Sequence, residues 1–289
     1  MYPDSFDYYP ATSVAEAHQL LAAHPGAKLL AGGQSLIPIM KLRLASPEAV
    51  IDIGRVAELR GISKRDNTLR IGALTTHAEL ASSDVVRQAA PALAEAAAHV
   101  GDPAVRNRGT IGGNVAHADP ASDLPAVLVA LDATIAVIGP RGGRDIAAAD
   151  FFTGVMTTAL GDNEILTAVS VPIQAGGQGS AYVKFAHPAS RYAVIGVAAS
   201  VSVAKGVCSA ARVAVVGLVS HARRLPAVEK ALQGQKPTDT VIADAAARTT
   251  GDLAGDASGD IFASAEYRAA MAPVYVRRAL AAAFGRAGA

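Results

Sequence analysis

Cysteine, tryptophan and long apolar runs are scarce or missing in this chain of 289 residues. The only cysteine is Cys208, so an internal disulfide and a cysteine-ligated iron–sulfur cluster within this chain are both excluded, and we expect a small core residue there. No run of about 18 uncharged apolar residues occurs, and therefore no membrane span is expected. The first residues lack the basic and apolar segments of a signal peptide. We expect a cytoplasmic protein and leave open whether a larger complex brings it to a membrane.

An excess of charge and the common nucleotide-binding signatures are also missing. The formal net charge is +1, and no basic block interrupts the mixture of acids and bases, so nucleic-acid binding has no support. The chain has neither the G-x-x-x-x-G-K-S/T motif of a P-loop nor a G-x-G-x-x-G that opens a helix. Hydrophobic residues make up 51% of the chain, which is enough for a sizeable core.

Two glycine pairs with polar neighbours are the most informative feature that is present. "LLAGGQSL" covers residues 29–36 and "RGTIGGN" covers residues 108–114. Glycine permits a positive φ and a close approach of the backbone to a ligand, and successive N–H groups in such a turn can form a nest for an anion. Each pair alone is compatible with an ordinary tight turn. Together they predict two nests that hold one diphosphate from two sides.

The first 53 residues predict a small lobe in which strands and a helix alternate. Apolar spacing predicts a helix over 13–24, with Ser13 and Glu16 as a capping box. Short strands are predicted before the first glycine pair and over 49–53. Pro38 leaves the conformation of the segment between them ambiguous, because proline would break a helix interior.

A second lobe is predicted over residues 54–175. It contains a half-buried strand at 68–74 and a strand at 165–171. Thr75 or Thr76 is expected to cap one helix, Asp84 the next, and Pro91 is expected to bend or divide the latter.

A glycine-rich stretch after Pro172 is the best candidate for a domain boundary. We expect a second domain over 176–289, with strand-like runs first and helical patterns after residue 225. Helices and strands segregate locally, so the predicted class is α+β, with a short antiparallel sheet and helices at the C-terminal end.

Three segments of the chain, residues 27–45, 100–125 and 264–280, resemble the FAD-binding medium subunit of molybdenum hydroxylases, most of all the carbon monoxide dehydrogenase type. Xanthine dehydrogenase carries a related flavin module. The resemblance spans essentially the whole chain in the same order. It implies a two-lobed FAD-binding domain of the vanillyl-alcohol-oxidase (PCMH) type, followed by a smaller C-terminal domain.

The resemblance implies non-covalent FAD and assigns cofactor contacts to both turns and to four further positions. Asp123 would contact the hydroxylated part of the cofactor, Lys184 would lie near the flavin, and Tyr192 would face the isoalloxazine. The full set implied is Leu30, Ala31, Gly32, Gly33, Gln34, Ser35, Leu36, Thr110, Ile111, Gly112, Gly113, Asn114, Asp123, Leu166, Lys184 and Tyr192. No catalytic acid or base and no metal ligand are expected in this chain.

Simpler roles stay open for several of these residues. Asp123 could cap the helix that follows it. Lys184 could be an exposed strand lysine, and Tyr192 could belong to ordinary sheet packing. His77, His99 and His117 do not have the spacing of a metal site and are expected to be structural or surface residues.

The implied function is electron transfer within a larger complex. A large subunit would carry molybdenum–pterin, a small subunit two [2Fe–2S] clusters, and electrons would pass through FAD in this chain to an external acceptor. The implied assembly is a dimer of heterotrimers. A self-contained flavin oxidase or dehydrogenase and a non-redox nucleotide-binding assembly protein are the alternatives. The substrate (carbon monoxide, an aldehyde or an N-heterocycle) and the acceptor stay open.

Overall fold

The computed structural model describes residues 1–288 and begins with the small lobe. Its sheet has three parallel strands in the order β1-β3-β2. The elements are β1 (Asp7–Pro10), α1 (Val14–Ala23), β2 (Lys28–Leu30), α2 (Leu36–Lys41) and β3 (Ala49–Asp52). The Ser13 hydroxyl accepts from the Glu16 amide, whereas the Glu16 carboxylate bonds to Thr12, so only half of the predicted capping box forms. Pro38 is tolerated because it lies in the first turn of α2, where its missing N–H is not needed.

The second lobe is built on a five-stranded antiparallel sheet with the strand order β4-β5-β10-β6-β7. A short 3₁₀ turn at Ala57–Leu59 leads into it. The elements are β4 (Ile62–Arg65), β5 (Thr68–Gly72), α3 (His77–Ser82), α4 (Asp84–Ala89), α5 (Pro91–His99), α6 (Pro103–Arg106), α7 (Ile111–His117), α8 (Asp123–Ala130), β6 (Thr134–Gly139), β7 (Gly142–Ala147), α9 (Ala148–Phe151), β8 (Phe152–Gly154), β9 (Thr157–Thr158) and β10 (Ile165–Pro172).

Of the helix starts predicted from the sequence in this lobe, the structure confirms two and contradicts one. Thr76 caps α3 in a complete capping box with Glu79, and Pro91 divides the apolar segment by starting α5. The prediction that Asp84 caps α4 is wrong. Ser83 is the cap, because its short hydroxyl accepts from the Val86 amide while Asp84 takes the first helical position.

The C-terminal part contains a four-stranded antiparallel sheet in chain order, covered by helices. The elements are β11 (Gln178–Ala186), β12 (Ala193–Ala204), β13 (Val207–Val216), β14 (Arg223–Arg224), α10 (Pro226–Leu232), α11 (Asp239–Ala247), α12 (Thr249–Asp252) and α13 (Ala265–Arg286). The long helix α13 lies across β11 and β12. The sequence prediction of an antiparallel sheet followed by helices is confirmed.

The C-terminal sheet is buried on both faces. One face supplies Tyr182, Ala198 and Val216 to the core of the second lobe, beside α5 and α8. The other face forms a separate core with α10, α11 and α13. The second lobe and the C-terminal part are therefore joined by a continuous apolar core. No helix within residues 1–288 is long and apolar enough to cross a membrane.

Candidate functional site

The two glycine turns touch each other. A methyl group at Gly32 would lie 2.2 Å from the Arg108 carbonyl oxygen and 2.8 Å from the Gly109 Cα, so only glycine permits this approach. A methyl at Gly113 would lie 3.8 Å from the Ala31 Cβ. Gly33 has a φ of 73°, in the left-handed region that glycine adopts without strain. Turns that are about 75 residues apart in sequence thus form one surface.

Local structure explains how each turn reaches this surface. The first turn follows the end of β2 at Leu30 and leads directly into α2. The second lies between α6 and α7, and a single bridge between Thr76 and Thr110 fixes it to the start of α3. Thr110 also caps α7, because its hydroxyl accepts from the Gly113 amide.

The two turns differ in the amides that they leave for a ligand. No hydrogen-bond acceptor within the described residues 1–288 faces the amides of residues 32–35. In the second turn the Ile111 amide donates to the Thr75 carbonyl at 2.9 Å, and the Gly112 amide donates to the Ala73 carbonyl at 2.8 Å. The expectation that successive amides of the second turn form a nest is therefore corrected. The first turn supplies free backbone amides, and the second supplies the Thr110 amide and the polar side chain of Asn114.

A cleft of about 1090 Å³ opens beside these turns. Of the residues that the sequence singled out, those that line the cleft are Leu30, Ala31, Gly32, Gly33, Gln34 and Thr110. Four basic side chains lie along the cleft against one acidic side chain, namely Lys41, Arg55, Arg60 and Arg108 against Asp52. An excess of positive charge next to free backbone amides suits an anionic group such as a diphosphate.

A buried polar cluster lies where the second lobe meets the C-terminal sheet. The Lys184 ammonium lies 2.8 Å from the Asp123 carboxylate and 3.1 Å from the His99 carbonyl oxygen. The Tyr182 hydroxyl donates to the same carboxylate. The Lys184 and Asp123 side chains are only 1% and 5% exposed. Burial raises the pKa of Asp123, while the ammonium and the hydroxyl act in the opposite direction.

This cluster decides between the roles left open for two residues. Asp123 is the first residue of α8, and its carboxylate bonds to Tyr182 and Lys184, so it does not serve as the helix cap. Lys184 is not an exposed strand lysine, because its side chain is enclosed. Tyr192, directly before β12, is 44% exposed, and burial with the nearby charges of Asp119 and Asp123 raises the pKa of its hydroxyl.

The remaining predicted contacts do not line the cleft. Ile111 and Leu166 are buried in the core of the second lobe, and Gly112 packs against Ala73. Ser35 and Leu36 lie at the start of α2. Asn114 is half-buried, and its side-chain oxygen accepts from the Ser122 hydroxyl at 2.8 Å, an arrangement that leaves its NH₂ group free.

Sequence reasoning missed several polar residues of this region, above all Tyr182 and Ser122. Tyr182 and Lys184 are two positions apart on β11 and therefore point to the same face of the strand. That alternation was a usable signal for Tyr182. No comparable signal in the sequence indicates that Ser122 contacts Asn114, because the contact depends on how the 118–122 turn folds back.

The buried ring of His77 packs against Gly109 of the second turn. The ring is 2% exposed, and a methyl at Gly109 would lie 2.9 Å from the ring Cδ2. Burial, helped by the positive charge of Arg106, lowers the pKa of His77 to about 4. No cluster of metal-binding side chains occurs within residues 1–288.

Comparison with known proteins agrees with this geometry. The family described as the FAD binding domain in molybdopterin dehydrogenase matches residues 4–174, and the CO dehydrogenase flavoprotein C-terminal domain matches residues 180–283. The chain is 42% identical to the carbon monoxide dehydrogenase medium chain of Hydrogenophaga pseudoflava over 99% of both chains. It is 40% identical to the 6-hydroxypseudooxynicotine dehydrogenase complex subunit alpha of Paenarthrobacter nicotinovorans, covering 99% of this chain and 97% of that subunit.

Solved structures show the same similarity. A structure of the Hydrogenophaga pseudoflava carbon monoxide dehydrogenase matches with a TM-score of 0.95 at 42% identity, over 99% of both chains. Quinoline 2-oxidoreductase from Pseudomonas putida 86 matches with a TM-score of 0.92 at 33% identity, also over 99% of both chains. The fold is that of a flavin-binding protein with a separate C-terminal domain. The chain belongs to the FAD-binding subunit family of the molybdopterin dehydrogenases, which confirms the resemblance found in the sequence.

Proposed function

We propose that this chain is the FAD-binding electron-transfer subunit of a molybdenum hydroxylase complex. The observation that carries the proposal is the contact between the two glycine turns, with free amides at residues 32–35 beside a cleft rich in positive charge. These residues fit a dinucleotide diphosphate, because its oxygens accept hydrogen bonds and its charge is negative. Family membership supports the same cofactor.

The chain's own residues would hold and orient the cofactor. The diphosphate would lie on the amides of the first turn, with Thr110 and the Asn114 NH₂ group completing its contacts from the second. Asp123, Lys184 and Tyr192 would face the flavin half, and the other turn residues and Leu166 would complete the pocket. Bound FAD supplies an isoalloxazine that takes up and passes on electrons. The protein's task is to fix its position and exclude water.

We propose that the electrons come from [2Fe–2S] clusters of a small subunit and, before that, from molybdenum–pterin on a large subunit. The names of the relatives, a medium chain and a complex subunit, support a multi-subunit assembly. With Cys208 as its only cysteine, this chain cannot supply the thiolates for such a cluster. A dimer of heterotrimers is the arrangement we propose.

The domain division we propose is residues 1–175 for FAD binding, with lobes at 1–53 and 54–175, and residues 176–289 for the C-terminal domain. The two family matches leave residues 175–179 between them, which supports a junction there. Gly176 and Gly177 lie in that junction, and Gly177 has a positive φ of 76°.

Titration of the purified chain with FAD tests the cofactor. We expect the visible flavin spectrum to change on binding, and the double variant Gly33→Val with Gly113→Val to lose FAD. At Gly33 a side chain is strained by the positive φ, and at Gly113 it would lie 3.0 Å from the Thr110 hydroxyl oxygen. Gly176→Val is the matched control, because nothing lies within 4 Å of its added Cβ. Full FAD occupancy in the double variant would contradict this placement.

Two further experiments address the partners and the alternative functions. Affinity purification from the native cell should recover a small iron–sulfur subunit and a large molybdenum subunit, and the large subunit would identify the substrate class. Anaerobic incubation of the isolated, FAD-loaded chain with carbon monoxide, aldehydes or N-heterocycles should leave the flavin oxidised. Direct reduction would instead favour a self-contained dehydrogenase. A chain that binds no flavin would favour the non-redox alternative.

A further inference from the structure

Tyr182 is fixed at both ends within the junction between the second lobe and the C-terminal sheet. Its hydroxyl occupies a notch at Gly196, where an added methyl would lie 2.4 Å from the hydroxyl oxygen. Its backbone amide donates to the Glu95 carboxylate at 2.9 Å. The His99 ring lies edge-on to the Tyr182 ring, with 6.4 Å between the ring centroids. The direction of the hydroxyl is therefore set by the surrounding structure.

One strand supplies two donors to one carboxylate of the neighbouring lobe. The Tyr182 hydroxyl and the Lys184 ammonium, both on β11, donate to Asp123 at the start of α8. The side chains of Asp123 and Lys184 are almost completely enclosed, at 5% and 1% exposure. Water therefore cannot replace a lost donor, and an unsatisfied carboxylate oxygen in such a place is costly.

We propose that Tyr182 is a positioning residue of the flavin site: its hydroxyl orients the Asp123 carboxylate, and Asp123 in turn holds the Lys184 ammonium beside the flavin. The inference rests on the proposed function, because it takes Asp123 and Lys184 as residues of the flavin site. Tyr182 itself acts through Asp123 and needs no contact with the cofactor.

The charges around Asp123 predict that FAD binding depends on pH. The groups that face the carboxylate are Lys184 and Tyr182 from β11, His99 from the end of α5 and Tyr192 before β12. Burial raises the pKa of Asp123, and the Tyr182 hydroxyl opposes this rise. Removing the hydroxyl raises the pKa further. Asp123 then takes up a proton at a higher pH, and Lys184 loses its charged partner.

The test is the variant Tyr182→Phe in the full chain, titrated with FAD at a series of decreasing pH values. We expect the FAD dissociation constant to rise about tenfold, as for the loss of a hydrogen bond to a charged group. We also expect half-release of FAD at a higher pH than in the unaltered chain. Tyr275→Phe is the matched control. Tyr275 is also a buried tyrosine, and its ring packs on Phe185. It belongs to the separate core on the other face of the C-terminal sheet, away from Asp123. This control variant should leave both values unchanged.

Two more variants identify the titrating group. In Asp123→Asn the acid-induced release should disappear, and adding Tyr182→Phe to it should change the FAD affinity no further. In His99→Gln the acid-induced release should persist. If it persists in Asp123→Asn and vanishes in His99→Gln, His99 is the titrating group and the inference is wrong.

The failure of this inference is distinguishable from the failure of the proposed function. If the unaltered chain binds FAD but Tyr182→Phe changes only the melting temperature, Tyr182 is merely structural and the inference falls while the proposed function stands. If the unaltered chain binds no FAD at any pH tested, both fail.

Discussion

Gly32 and Gly33 are neighbours, yet each is required for a different physical reason. Gly32 leaves room for the Arg108 carbonyl of the second turn, whereas Gly33 adopts a φ of 73° that allows the chain to turn into α2. Gly112 is needed for close packing on Ala73 and has no free amide for a ligand. Similar glycine pairs in the sequence thus have unlike roles in the fold.

Gly32→Ala tests the contact between the turns. The added methyl would lie 2.2 Å from the Arg108 carbonyl oxygen, and backbone on both sides leaves no flexible atom to yield. We expect a loss of about 1–3 kcal/mol in the free energy of unfolding, as for other overpacked sites, together with loss of FAD. Gly176→Ala, with open space around its Cβ, is the control for both measurements. Unchanged urea unfolding in Gly32→Ala would show that the turns can separate freely.

The lowered pKa of His77 predicts that the folded chain loses stability in acid. This pKa is lowered to about 4 in the folded chain, against 6.5 for an ordinary histidine, so the unfolded state binds more protons between these values. Stability from the neutral ring is therefore complete above about pH 6.5 and falls as the pH drops towards about 4, by about 2 kcal/mol at pH 5.

Urea unfolding at pH 7 and at about pH 5 measures this effect. His77→Gln should be less stable at pH 7 but should lose less between the two pH values than the unaltered chain. His221→Gln, at a half-exposed surface histidine, should keep the full pH dependence. Identical pH slopes for the unaltered chain and His77→Gln would contradict the assignment.

The segment that precedes α8 depends on the C-terminal sheet for its position. The Ala193 amide donates to the Ala121 carbonyl at 3.0 Å, and the Gly217 amide donates to the Pro120 carbonyl at 2.7 Å. The segment in turn contacts the second turn through Ser122 and Asn114. The C-terminal strands thus hold the segment that contacts the second turn, without lining the cleft themselves.

Gly217→Ala should disturb the site from this distance. Gly217 has a φ of 89°, and its added methyl would lie 2.4 Å from the Ala193 carbonyl oxygen. We expect strands β12 and β13 to shift at this point and FAD affinity to fall about tenfold, by about 1.4 kcal/mol. Gly206→Ala is the control. Gly206 also has a positive φ, of 75°, but no atom lies within 4 Å of the added Cβ. Fluorescence titration with FAD separates the two, and equal affinities would argue against transmission through the segment.

Local sequence patterns were sufficient for most elements of the fold. Periodicity and turn residues placed α1, β2 and β3 correctly, as well as the break at Pro91 and the order of sheet and helices at the C-terminal end. Ser83 and Asp84 are both good caps, and only the backbone direction at the helix start decides between them.

The rest of the site depends on contacts between distant segments. The amides of the second turn are taken by Ala73 and Thr75, which no spacing in the sequence reveals. The enclosure of Lys184 results from its meeting Asp123, 61 residues away. The glycine pairs predicted that a site exists, but the number of free amides in each turn required the three-dimensional contacts.

Within residues 1–288 the chain forms three apolar cores, and the two larger ones share the C-terminal sheet. The FAD-binding part cannot cover α5 and α8 by itself, because β11, β12 and β13 pack on these helices with apolar side chains. The two family matches divide the chain near residue 175, but the parts on either side of this division share one apolar core.

A fragment of residues 1–175 should therefore fail as an independent FAD-binding unit. Without the C-terminal strands, the apolar faces of α5 and α8 and the carboxylate of Asp123 become exposed to water. We expect the fragment to aggregate in size-exclusion chromatography and to bind no FAD. A monomeric fragment with the FAD affinity of the whole chain would show that the C-terminal domain is not needed for FAD binding.

A crystal structure of the complete chain with FAD tests the central claim most directly. The account predicts the diphosphate within hydrogen-bonding distance of the amides of residues 32–35 and of Thr110, with the flavin half towards Asp123, Lys184 and Tyr192. A diphosphate that contacts only one of the two turns, or FAD bound elsewhere on the chain, would contradict it.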